Sequence, residues 1–259
     1  MNATRPDAQN PIVSDRLSHY KASKISSAAG SCSCKIKIRG QTVIDSSTAL
    51  SRMIDCQLRP NEVNDERVID AISAVPREMF VPKVKRAVAY VDEDITVGEG
   101  RFILEPRVFA RLIMAADIQP SDIVLDVGCA TGYSSAVLAQ LAEAVVAVEE
   151  NETIAAQAEK KLADHDAMNV AVVTCTLCDG VAKQGPYDVI FLEGAVEEVP
   201  AKLLKQLKNG GRLVCVKVEA GVGRAHIIRK TDDGLEEHNL FDADVLPLPG
   251  FKKAQGFVF

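Results

Sequence analysis

The amino-acid sequence predicts an α/β fold with a doubly wound, mostly parallel sheet. Three observations carry that prediction. Short apolar runs alternate with helical stretches from residue 123 onward, a glycine-rich turn joins the first run to its helix, and the next run closes on an acid. Residues 123–150, IVLDVGCATGYSSAVLAQLAEAVVAVEE, contain all three.

Each part of that stretch has a physical task. Gly128 and Gly132 let the chain turn sharply and approach a ligand closely, because they carry no Cβ. The helix beginning near Thr131 offers free N–H groups and a positive dipole end to an anionic group. Glu149 lies 17 residues past Gly132, at the carboxyl end of a strand, where an acid can accept both hydroxyls of a ribose. The turn reads Asp126-x-Gly128-x-Ala130-x-Gly132 and departs from the G-x-G-x-x-G of dinucleotide sites. If the Ala130 position requires positive φ, its methyl group costs about 1 kcal/mol. The alternative is an ordinary parallel-sheet turn with no nucleotide.

Taken in order, residues 1–45 are rich in Ser, Ala, Asn and basic groups without a sustained period, which predicts a poorly ordered tail. Residues 35–38, Lys-Ile-Lys-Ile, can form a short strand at most. Asn64-Asp65 ahead of Val68, Ile69, Ile72 and Val75 predicts a capped amphipathic helix stopped by Pro76. Residues 76–82 then make a bend with Phe80 turned inward. Apolar residues 95–97 follow Asp92, Glu93 and Asp94, residues 98–100 form a loop, and Pro106 opens a helix through Ala116. Beyond Glu149 the spacing predicts a helix over 153–163, strands over 170–174 and 187–192, a helix over 200–207, a turn at Asn209-Gly210-Gly211 and a strand over 212–218. Residues 225–229 and 255–259 are weaker strands. Asp179-Gly180 follows one of these strands, so its carboxylate can accept from an exocyclic amine in the same crevice; a plain turn is the alternative.

Composition excludes several classes. A length of 259 residues with 47% apolar and 25% charged residues suits one large globular domain with extensions. No apolar run approaches the ~18 residues of a membrane span, and no signal-peptide core stands at the start, so a cytoplasmic location is expected. The net charge of -6 argues against coating nucleic acid. Residues 1–40 nevertheless carry +5 and the remainder -11, an electropositive tail on an acidic body. Seven cysteines, several inside apolar runs, point to reduced packed thiols. Cys175-x-x-Cys178 has no second pair at zinc spacing and is read as coincidence.

With these elements in place, the chain resembles the protein-L-isoaspartate O-methyltransferase family over roughly residues 52–229. The resembling text is Val75-Pro-Arg-Glu-Met-Phe-Val-Pro82, then Val124-Leu-Asp-Val-Gly-Cys-Ala-Thr-Gly-Tyr-Ser-Ser135, Val148-Glu149, Asp179-Gly180, Gly185-Pro-Tyr-Asp-Val189, Val199-Pro200 and Lys208-Asn-Gly-Gly-Arg-Leu213. The glycine turn is likewise similar to the D-x-G-x-G-x-G of S-adenosylmethionine-dependent methyltransferases, with Ala130 at the middle glycine. The resemblance implies a class I, Rossmann-like methyltransferase with a seven-stranded sheet and an N-terminal helical extension, using S-adenosyl-L-methionine as cofactor. By that match Asp126, Gly128 and Gly132, with Cys129 and Ala130 between them, cradle the methionine part; Glu149 holds the ribose, and Asp179 with Gly180 the adenine amino group. The implied organisation is a tail (1–45), a helical cap segment carrying the substrate loop (46–108) and the cofactor domain (109–259). The implied reaction esterifies the carboxylate of isoaspartyl residues in damaged proteins or peptides, a repair step, with neither nucleic acid nor membrane as partner and the oligomeric state open.

The acceptor side departs from the family. Where the family carries G-Q-T-I-S-x-P, this chain has Gly100-Arg-Phe-Ile-Leu-Glu-Pro106, so Phe102 and Leu104 replace both hydroxyl residues and Arg101 the glutamine. Leu104 cannot hydrogen-bond a carboxylate. Arg101 can offer two donors to an anionic substrate, with Glu105 orienting it, or can be a surface charge. Two other readings follow: a methyltransferase of the same fold acting on another small carboxylate or phenol, or a non-catalytic cofactor-binding homologue. Residues 246–251 and 257–259 also differ from the ending expected of the family.

Overall fold

The computed structural model describes residues 46–98 and 100–253. The expectations for residues 1–45 and for a strand over 255–259 lie outside the described residues. Helix α1 (Ser46–Met53) continues through a π turn, Ile54–Leu58, into a 3-10 turn, Arg59–Asn61. Helix α2 (Glu66–Ala74) starts where the Asp65 carboxylate accepts from Arg67 N–H, and Val75 ahead of Pro76 is extended. It buries Val68, Ile69 and Ile72.

Residues 95–98 and 101–103 form two paired strands rather than a single run and a loop. Strands β1 (Ile95–Gly98) and β2 (Arg101–Ile103) pair antiparallel, Ile95 opposite Ile103. Helix α3 (Pro106–Ala116) follows, with Pro106 in its first turn and Asp117 left-handed at its end. The predicted division at residue 108 falls within this helix.

The sheet is assembled from β3 (Ile123–Val127), β4 (Ala144–Glu149), β5 (Val170–Thr174), β6 (Tyr187–Val196), β7 (Leu207–Glu219), β8 (Val222–Thr231) and β9 (Gly234–Asp242), in the spatial order β5-β4-β3-β6-β7-β8-β9. The first five of that order are parallel, while β7–β8 and β8–β9 are antiparallel. Helices α4 (Tyr133–Leu141), α5 (Glu152–Asp164) and the single turn α6 (Ala201–Leu204) connect the parallel strands. Apolar packing covers both faces. Val124, Phe80, Phe109 and Tyr133 belong to one cluster, and Leu125, Val127, Ile190 and Leu248 to the other.

Two expectations change, and one strand is new. Strand β9 was not expected from the sequence; its side chains are nearly all exposed, so Leu235-Glu-Glu-His-Asn-Leu240 shows no buried face to read. Asn209-Gly210-Gly211 lies inside β7 as an irregularity, with Tyr187 opposite Leu207 and Val189 opposite Arg212. The helix predicted over 200–207 ends at Leu204, because Gln206 turns its carbonyl to Tyr187 N–H and Leu207 enters the strand. No helix among the described residues is long and apolar enough to cross a membrane.

Candidate active site

Strands β3 and β6 stay paired up to Val127 opposite Leu192. From β3 the chain winds outward through β4 and β5, then crosses back to β6 on the other side. The carboxyl ends of β3 and β6 therefore flank the point where the winding reverses, the place where open α/β sheets hold ligands.

The turn leaving β3 is left-handed at three residues: φ is +86° at Gly128, +49° at Ala130 and +91° at Gly132. Ala130 thus occupies the positive-φ position at which a methyl group is penalised. Gly128 and Cys129 donate their N–H groups to Val148 O (2.9 and 3.1 Å), tying the turn to β4. Thr131 donates its hydroxyl to Phe80 O at 2.6 Å and so anchors the cap segment. Burial pushes the Cys129 thiol well above its ordinary value.

Asp126 is fully buried. Its Oδ2 accepts from Ser134 Oγ (2.7 Å) and Ser135 Oγ (2.5 Å), while Oδ1 has no partner among the described residues. Burial raises this carboxyl to about 6; the Ser135 and Ser134 hydroxyls oppose the rise and the Glu149 charge adds to it. Glu149, also fully buried, is saturated: it accepts from Arg101 Nε on both oxygens (2.8 and 2.9 Å), from Ala130 N (3.2 Å) and from Asn151 N (2.9 Å).

That pairing corrects both readings of Arg101. Arg101 is 5% exposed, so it is no surface charge, and its guanidinium is turned toward Glu149. Nor does Glu105 orient it: Glu105 pairs with Arg107 at 2.7 Å. Leu104 is buried and contributes only its carbonyl, which accepts from Arg77 Nη2 at 2.6 Å. Asp179 stands apart. Its half-exposed carboxylate takes Lys202 Nζ at 2.6 Å, and its carbonyl takes Gln206 Nε2 at 2.8 Å. Gly180, at φ +59°, leaves no room for a side chain: a Cβ there would lie 2.7 Å from Leu203 Cδ2.

Two further buried charged residues, Arg77 and Glu193, lie near the glycine turn. Arg77 donates from Nε to Ala89 O (2.7 Å) as well as to Leu104 O, and lies 4.8 Å over the Tyr133 ring, fastening the acceptor loop to α4. Nothing in Pro76-Arg-Glu-Met announces its burial. Glu193 is 4% exposed, and its Oε1 has no partner among the described residues. Burial, then the nearby Asp126, push its carboxyl well above the usual carboxylate range. A signal existed: Glu193 follows the run 187–192 as Glu149 follows the run 145–148.

The C-terminal segment covers the crevice. Leu248 N–H donates to Ala195 O (2.8 Å), and Ala195 N–H to Leu246 O (2.9 Å). Asp94 accepts from Glu105 N (2.8 Å) and from Leu246 N (2.9 Å), joining the acceptor loop to this segment. Leu248 lies over the glycine turn, where a Cβ on Gly128 would come within 2.7 Å of its Cδ1. Cys175 and Cys178 turn their thiols to the carbonyls of Gly180 and Gly250, at 3.4 and 3.1 Å.

A family model described as protein-L-isoaspartate(D-aspartate) O-methyltransferase matches residues 49–249. The chain belongs to that family. A protein-L-isoaspartate O-methyltransferase from Koribacter versatilis is 38% identical over 200 residues, covering 77% of this chain and 90% of that one. Its counterpart from Methanoculleus marisnigri is 39% identical over 162 residues, covering 62% and 74%. Among solved structures, a protein-L-isoaspartate O-methyltransferase superposes with a TM-score of 0.68 at 24% identity over 80% of this chain and 66% of that one. A Plasmodium falciparum protein, a putative member solved with S-adenosyl-L-homocysteine, gives 0.68 at 16% identity over 79% and 98%. At those identities the structures establish the shared fold. The family match extends through Pro249, so it takes in the greater part of the 246–251 segment whose text differs from the expected ending.

Proposed function

We propose that this protein is an S-adenosyl-L-methionine-dependent O-methyltransferase that esterifies isoaspartyl carboxylates in damaged proteins, a repair reaction. The observation that carries the reading is the family match over residues 49–249, laid on a switch-point crevice entered by a left-handed glycine turn.

The residues present fit the cofactor. Asp126 Oδ1 is a buried oxygen without a partner among the described residues, suited to the cationic methionine end, and we assign the ribose hydroxyls to Glu149 at the end of β4. Asp179 with Gly180 stands at the end of β5 for the adenine amine. The cofactor supplies a methyl group already activated on a sulfonium. The protein's share is positioning and exclusion of water, so a carboxylate nucleophile needs no general base. Residues 46–108 act as the cap that carries the acceptor loop, and 109–259 as the cofactor-holding part; the acceptor is a protein or peptide rather than nucleic acid or membrane, met in the cytoplasm. One observation favours a second acceptor class: Leu104 presents no hydroxyl, which suits another small carboxylate or a phenol.

The test is incubation with methyl-labelled cofactor and a peptide in isoaspartyl and normal aspartyl forms. The expected product is a base-labile ester on the isoaspartyl form alone, releasing volatile methanol. No such product, with cofactor binding intact, overturns the repair reading. In parallel, calorimetric titration with S-adenosylhomocysteine is expected to weaken by about 1–3 kcal/mol in Glu149→Ala, the loss of a charged hydrogen-bond partner.

A further inference from the structure

The acceptor loop lacks the hydroxyls that the family presents, and the structure shows what stands opposite that gap. Pairing between β3 and β6 ends at Val127 opposite Leu192, so the next residue on each strand, Gly128 and Glu193, opens the mouth of the crevice. An ideal Cβ on Gly128 would lie 3.7 Å from Glu193 Cβ. Beyond Phe191 the register of β6 against β7 shifts, Phe191 facing Val214 and Ala195 facing Val216, so Glu193 lies within an irregularity of the strand. Gly194 brings the acceptor loop close: a Cβ there would sit 2.9 Å from Phe102 Cζ. Glu193 is thus between the glycine turn and the acceptor loop, buried, with an oxygen that no described residue satisfies. An unpaired buried carboxyl oxygen costs free energy, and such groups in native proteins call for an explanation.

We propose that Glu193 is the residue that contacts the acceptor, donating an O–H hydrogen bond to one oxygen of the acceptor carboxylate while the other oxygen attacks the methyl group. The inference rests on the isoaspartyl reading and names the group that does the work left undone by Leu104. The oxygen–carbon bond forms as the carbon–sulfur bond breaks, the electron pair leaves on sulfur, and the Glu193 proton stays where it was.

The surroundings support the proton. Burial and the like charge of Asp126, from β3, favour the neutral acid, with Asp94 ahead of β1 acting in the same direction. Arg77, from the turn at 77–79, and the Ser134 hydroxyl, from α4, act against it. Cys129 and Tyr133 also lie in range, and both are held protonated by burial, so neither brings an opposing charge. An ionised Glu193 beside Asp126 would repel an incoming carboxylate; a neutral one admits it and fixes its orientation. Keeping a carboxylic acid neutral in order to donate is an established use of a buried site.

The experiment measures methylation of the isoaspartyl peptide against pH for wild type, Glu193→Gln and Glu193→Ala, with S-adenosylhomocysteine affinity and melting recorded for each. For wild type, activity is expected to fall as rising pH removes the Glu193 proton. Glu193→Gln keeps a neutral N–H donor, so it is expected to hold activity within about threefold and to lose that alkaline fall. Glu193→Ala is expected to raise KM for the peptide by about ten- to a hundredfold, the loss of a hydrogen bond to a charged group, with inhibitor affinity unchanged. If Glu193→Gln is as impaired as Glu193→Ala, the group acts as a carboxylate and the proposal is wrong; if neither variant changes the peptide KM, Glu193 does not touch the acceptor. Should glutamine disturb the packing, Glu193→Thr supplies a second neutral donor under the same criteria. A wild type that binds the inhibitor yet leaves the peptide untouched overturns the isoaspartyl reading itself, a result distinct from an active wild type with an inactive glutamine variant.

Discussion

Asp126, in β3, and Glu149, at the end of β4, are both fully buried carboxylates, yet they are held in opposite ways. Glu149 meets a guanidinium and two backbone N–H groups; Asp126 meets two serine hydroxyls and leaves one oxygen unpaired. The cation comes from across the crevice, from the loop where the family resemblance breaks. The segment with Phe102 and Leu104 where the family resemblance expects hydroxyls thus turns its Arg101 to Glu149. The carboxylate that the sequence assigns to a ribose is, in this structure, a carboxylate already answered.

The largest test of that contrast is Arg101→Ala. It leaves Glu149 buried without its cation, and breaking a buried pair from one side costs on the order of 3 kcal/mol. A chemical-denaturation midpoint should fall accordingly, and Glu149→Gln on the same background should recover most of the loss. Equal loss in the single and double variants would mean that Arg101 serves packing and that the two sides are not coupled through charge.

Next in size is Asp126→Asn. A carboxyl raised to about 6 when folded, from 3.8 when unfolded, favours the fold fully below about pH 4 and loses that contribution as pH rises through 6. A neutral amide is therefore expected to stabilise the protein by up to about 3 kcal/mol near pH 7.5 and by nothing near pH 4. A pH-independent difference would show that Asp126 is satisfied without the ligand, and the contrast with Glu149 would disappear.

The smallest effect belongs to Ala130→Gly. With φ at +49°, the methyl group strains the turn, and its removal should stabilise by about 1 kcal/mol and raise the melting temperature by roughly 2–4 °C. An unchanged or lower melting temperature would mean that the turn accepts alanine without strain.

Local signals in the sequence determined a good deal. The period of the apolar runs placed every parallel strand, Asp65 and Pro106 placed two helix starts, and the glycine turn with Glu149 located the crevice. These features are readable because strand burial, capping and positive φ are properties of a few neighbouring residues. Strand β9 was not legible, since an exposed edge strand needs no apolar alternation. Nor were the partners of charged residues. Arg101 reaches Glu149 across 48 positions, and Arg77 reaches Leu104 across 27. Asp126 and Glu193 lie 67 positions apart, brought together because the chain reverses its winding between β3 and β6. Electrostatic energy depends on distance through space and on exclusion of water, neither of which is written in linear order. The sequence thus determined which acids and bases the crevice has; only the tertiary structure decided which of them are paired, which remain open, and which keep their protons.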